Sequence, residues 1–122
     1  MNVQVLNKKF QKELLSGITA LVLLTTLERS EEPRYGYQIA KVLDLGDEGE
    51  PIIKQGALYP VLRSLENSGL LESSVEPSIS GPPRKYYIIT DLGRKTLREW
   101  RSIWTQFKTF ADNILEGENH ES

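Results

Sequence analysis

The chain has no cysteine and a single histidine, and these two shortages exclude more than any residue present. Without thiols there is no disulfide, no thiolate nucleophile and no thiolate metal site. His120 stands in an acidic C-terminal stretch, so neither histidine acid–base chemistry nor a metal centre is expected. No pair of carboxylates has a frame to position it. An enzyme is therefore not expected, and neither is a cofactor. Long apolar runs are missing too. The longest, Gly17 to Leu27, is broken by threonines and falls short of the roughly 20 residues that cross a bilayer. No basic segment with a cleavage site follows Met1. A cytoplasmic protein without a membrane partner is expected.

The 122 residues suit one core, and 39% hydrophobic with 26% charged residues suits a soluble globular chain. The net charge of −2 argues at first against a polyanionic partner. Its distribution argues the other way. Between Ile52 and Arg101 the eight cations include Lys54, Arg63, Arg84 and Lys85, and they face five anions. Acid gathers elsewhere, at Asp44, Asp47, Glu48 and Glu50 and again near the C-terminus. The first group lacks the spacing of a calcium loop and reads as a solvated loop.

The apolar periodicity predicts a helix over residues 10–29, on which Leu14, Ile18, Leu21, Val22 and Thr25 share a face. A second helix is predicted from Gly36 to Leu45 and a third from Gln55 to Ser68, ended by Gly69. Leu70 to Val75 and Lys85 to Ile89 read as strands, joined by a stiff connection with three prolines. A long helix follows from Thr90, a suitable N-cap, to Glu116. The class is mainly α with a small β-hairpin (α+β). Residues 1–89 form a winged helix-turn-helix domain, residues 90–116 a dimerisation helix and residues 117–122 an acidic tail.

In the third helix Leu58, Leu62 and Leu65 face inward. Gln55, Tyr59, Arg63 and Asn67 form the opposite stripe. Glutamine suits adenine, arginine suits guanine, and a tyrosine hydroxyl suits phosphate. Lys54 and Gln55 open this helix. Arg84 and Lys85 stand at the root of the wing, where they can meet phosphates. On the last helix Leu97, Trp100, Trp104, Phe107, Ala111 and Ile114 recur at spacings of three and four, with Ile103 and Phe110 beside them. This is the pattern of a dimer seam. The two tryptophans either fill that seam or wall a slot for a planar guest. Double-stranded DNA and a second copy of the chain are the expected partners. The alternative is a winged-helix module that binds protein.

On YGYQI at 35–39, GALYPVLRSLENSGLL at 56–71, GPPRKYYIIT at 81–90 and DLG at 91–93, the chain resembles the PadR family of bacterial winged-helix transcriptional regulators. The likeness runs from about Leu14 to Leu115 and points to the short-tailed branch with one helix after the wing. It implies a homodimer joined through the last helix and the partner's first helix. It also implies a pseudo-palindromic operator and action as a repressor. DNA contact is carried onto Tyr37, Tyr59, Arg63, Arg84 and Lys85. In ligand-responsive members of this branch a tryptophan stacks on flat aromatic compounds, and Trp104 matches that position. A planar aromatic effector is implied on that match.

Overall fold

The computed structural model describes residues 1–43 and 52–117. The acidic loop, Leu45, His120 and residues 118–122 lie outside the described residues.

Helix α1 (Val3–Glu28) starts well before residue 10, because Asn2 caps it by accepting a 2.9 Å hydrogen bond from the Val5 amide. Its threonines do not interrupt it. Thr19, Thr25 and Thr26 each donate to the carbonyl four residues back, so their hydroxyls are satisfied within the helix. With its full length α1 has the extent and apolar content of a membrane span, which the run Gly17–Leu27 alone did not suggest. Its C-terminal half is nonetheless core: Leu23, Leu24 and Leu27 are buried. These are not the residues that share a face by their spacing in the sequence. Leu14 is exposed, and Ile18, Leu21, Val22 and Thr25 are only half-buried. The helix is apolar on two sides, and only one of them meets the core.

Strand β1 (Arg34–Tyr35) leads into α2 (Gly36–Val42), where the Gln38 side chain accepts from the Tyr35 amide. Two residues carry no alternation, so β1 leaves no periodic signal in the sequence. Helix α3 (Gln55–Asn67) buries Leu58, Leu62 and Leu65, as its periodicity requires. It ends in a Schellman turn. Gly69 has φ of 82°, its amide donates to the Glu66 carbonyl, and the Leu70 amide donates to that of Leu65.

Strands β2 (Leu71–Glu76) and β3 (Arg84–Ile89) form the wing, and the antiparallel sheet has the order β1-β3-β2. Tyr87 and Ile89 of β3 point into the core.

Helix α4 (Asp91–Leu115) is joined to the end of α3 through its cap. Thr90 Oγ1 accepts from the Gly93 amide and donates to the Gly69 carbonyl, while the Thr90 amide donates to the Leu70 carbonyl. The first part of α4 belongs to the winged core. Leu97 is 0% exposed, and Trp100 packs against the same cluster. Leu97 is therefore not available to a partner, contrary to its expected place in a dimer seam. The a/d repeat continues without a break from intramolecular to exposed positions, so spacing alone could not separate them.

Candidate nucleic-acid interface

The polar stripe of α3 is uncovered. Lys54, Gln55, Tyr59, Arg63 and Asn67 are all exposed, opposite the buried leucines. Gln55 Nε2 donates to the Tyr59 hydroxyl at 3.2 Å, which orients both side chains. The Tyr59 ring also lies against the start of α2. A Cβ on Gly36 would come within 2.5 Å of it, so the glycine allows the two helices to approach. Tyr37, the next residue in the chain, is exposed at the first turn of α2. The Lys41 ammonium lies 5.9 Å from the Tyr37 ring centroid, adding a further cation on this side.

The wing contributes differently from what its sequence suggests. Arg84 and Lys85 are neighbours in the chain, but both belong to β3, so they point to opposite faces of the sheet. Arg84 lies on the outer face with its guanidinium 4.5 Å from the Tyr35 ring centroid. Tyr35 in turn meets Tyr86 edge to face at 5.2 Å. This stack steadies the arginine while leaving it exposed. Tyr35 and Tyr86 were not singled out in the sequence. Their role depends on the pairing of β1 with β3, which sets Tyr35 opposite Tyr86.

Lys85 turns to the inner face and pairs with Glu66 at 3.1 Å. Glu66 also accepts a hydrogen bond from Ser73. The Ser73 hydroxyl, followed by Lys85, holds the Glu66 carboxyl below the usual carboxylate range. The same carboxylate raises the pKa of Lys85. Both groups therefore stay ionised through the neutral range. The two adjacent wing cations do not form one patch.

A second feature lies at the other side of the domain. A cleft of about 450 Å³ separates α1 from α4, with Ile18, Leu21 and Val22 on one side and Trp104 on the other. Arg29 and Arg101 line it too, and Arg101 is held by Glu28 at 2.6 Å. Trp104 is 42% exposed, whereas Trp100 leans on the core, so the two tryptophans do not share one environment. Beyond them Phe107, Phe110 and Ile114 are each about two-thirds exposed, and Ala111 is exposed as well. Val3, Leu6, Phe10 and Leu14 on the N-terminal half of α1 are uncovered in the same way. Among the described residues no cluster of histidines and acids could hold a metal ion.

The model of the transcriptional regulator PadR-like family matches residues 23–99, more than half of the chain. Its span includes α2, α3, the wing and the buried part of α4. An uncharacterized protein of Lysinibacillus sphaericus is 34% identical over 108 residues, covering 88% of this chain and 96% of that one. Among solved structures, a PadR family transcriptional regulator from Eggerthella lenta is 36% identical, with a TM-score of 0.76 over 94% of this chain and 96% of its own. A PadR-like transcriptional regulator from Bacillus cereus is 33% identical, with a TM-score of 0.66 over 87% of this chain and 99% of its own. The winged domain, its joint to α4 and these likenesses agree: the chain belongs to the PadR-like family of transcriptional regulators.

Proposed function

We propose that the protein is a cytoplasmic, homodimeric repressor that binds a pseudo-palindromic DNA operator through α3 and the wing. The observation that carries this reading is the uncovered stripe Gln55–Tyr59–Arg63 on α3, with Arg84 presented on the outer face of the wing. Gln55 and Arg63 read base edges from α3 in the major groove. Tyr37, Lys54, Tyr59 and Arg84 meet phosphates. A two-fold axis presents two such surfaces to two half-sites.

The dimer reading is supported by the exposed apolar residues of α4 and of the first half of α1. Apolar side chains left uncovered on two helices in this way are expected where a partner surface covers them. Charge favours the same pairing. Lys8, Lys9 and Lys12 lie on the exposed half of α1 and Glu116 lies at the far end of α4, whereas Asp112 is already paired with Lys108 at 2.9 Å. A partner's α1 laid along α4 brings opposite charges together. The cleft beside Trp104 supports a planar aromatic effector, with the indole as one wall and the apolar side of α1 as the other.

Arg63→Ala tests base readout. The expected result is a loss of roughly 1–3 kcal/mol of discrimination at one base pair of each half-site, with non-specific binding less affected. Titration of single-base operator variants measures it. A uniform loss over every variant would make Arg63 a phosphate contact.

Gly36→Ala tests the placing of Tyr59. The atoms that an added methyl would meet are the far end of the Tyr59 side chain. The ring is expected to swing away while the helices stay, so stability should change by less than about 1 kcal/mol. Duplex binding should weaken by about tenfold, the worth of one well-placed hydrogen bond to phosphate. Thermal melting and duplex titration of the same preparation separate the two effects. A large fall in melting temperature would show that Tyr59 cannot move.

A further inference from the structure

We propose that Glu66 is a positioning residue that ties the wing to α3 and holds Lys85 out of the phosphate contacts, leaving Arg84 as the wing cation that DNA meets. The proposal rests on the DNA-binding reading above.

Three elements converge on one carboxylate. Glu66 sits in the last turn of α3, Ser73 on β2 and Lys85 on β3. One carboxylate oxygen takes the Lys85 ammonium at 3.1 Å, and the other accepts from the Ser73 hydroxyl. Ser73 is paired in register with Tyr87, and Lys85 with Val75, so the carboxylate grips two successive rungs of the inner face of the wing. Tyr87 and Ile89 on that face are buried, whereas Val75 and Lys85 beyond them are exposed. The apolar core ends between these rungs, and the polar triangle takes over there. Without it, nothing buried would fix the outer part of the hairpin to α3.

The triangle also changes the charge that the wing presents. A lysine paired with a carboxylate is locally neutral, and to meet a phosphate it must first leave Glu66. Arg84 has no such bound partner: Glu76 stands opposite it in the strand register, but among the described residues no carboxylate lies within ion-pair distance of it. Its guanidinium is held by an aromatic ring rather than by an ion pair. Two cations that the sequence sets side by side thus have different tasks.

The test is a salt titration of binding to one random-sequence duplex, for wild type, Arg84→Ala, Lys85→Ala and Glu66→Gln. Each phosphate contact contributes about 0.9 to the slope of log affinity against log salt. Arg84→Ala is expected to lower the slope by about one and Lys85→Ala to leave it unchanged. Glu66→Gln is expected to raise the slope by up to about one, because the released Lys85 can then reach a phosphate. A Glu66 that served the fold alone would loosen the wing without raising the slope.

Hydrogen exchange on the DNA-free protein judges the tie independently. In Glu66→Gln and Ser73→Ala, amides of β2 and β3 should exchange roughly fivefold faster, as expected for one lost hydrogen bond, while those of α1 keep their rates. Equal slope losses in Lys85→Ala and Arg84→Ala would overturn the withholding of Lys85. Unchanged wing exchange in both variants would overturn the tie. A wild type with no salt-dependent duplex binding would overturn the DNA-binding reading instead, and the exchange rates would still decide the tie.

Discussion

Gly93→Ala is expected to destabilise the protein by about 3–5 kcal/mol, above the usual range of about 1–3 kcal/mol for an added methyl. The reason lies in the joint between α3, the wing and α4. A Cβ on Gly93 would stand 2.2 Å from the Leu70 carbonyl oxygen and 2.7 Å from Ile89 Cγ1. The carbonyl cannot give way easily, because it already accepts from the Thr90 amide. Thr90 is held in turn by the Gly69 carbonyl and caps α4 through the Gly93 amide. One methyl therefore disturbs the end of α3, the end of β3 and the start of α4 together. A melting temperature lower by roughly 10–20 °C is expected for a chain of this size. The contrast with Gly36→Ala is the sharper check. Both glycines permit a close approach, but one faces backbone and the other the tip of a side chain. Similar losses in the two variants would mean that this distinction does not govern their cost.

Phe107→Asp is expected to dissociate the proposed dimer while leaving the monomer folded. Phe107 is 67% exposed in the single chain, so the substitution removes little from its core. Across a two-fold seam the same change places two unpaired carboxylates in an apolar contact. An uncompensated buried charge costs about 3–5 kcal/mol, or roughly a hundred- to several-thousandfold in dissociation constant. Sedimentation at several protein concentrations should show a dimer for wild type and a monomer for the variant, with unchanged helix content. Duplex binding should fall with the dimer, because two linked surfaces bind better than one. A wild type that sediments as a monomer would remove the seam from this account.

Local chemistry made much of this fold legible in the sequence. Gly69 marks the end of α3 because a left-handed residue closes its Schellman turn. Thr90 marks the start of α4 because its hydroxyl caps that helix. The leucines of α3 identify the inner face, and with it the stripe Gln55, Tyr59 and Arg63. What stayed hidden depends on which surfaces meet in three dimensions. The apolar face Ile18, Leu21, Val22 on α1 is a genuine face, but it lines the cleft beside Trp104 rather than the core. Leu97 and Phe107 obey one repeat, yet the first is core and the second is exposed. Arg84 and Lys85 appear as a pair until the two-residue period of a strand separates them. Glu66 looks like one more acid of an ordinary helix until β2 and β3 bring Ser73 and Lys85 to it.

Two copies of the α3–wing surface are proposed to read DNA together. Selection of the purified protein against a pool of random duplexes, followed by sequencing of the bound fraction, tests that claim most directly. The predicted result is an enriched site with two inverted half-sites, their centres one helical turn (about 10 base pairs) or a multiple of it apart. Recovery of a single half-site, or no enrichment over the starting pool, would contradict it.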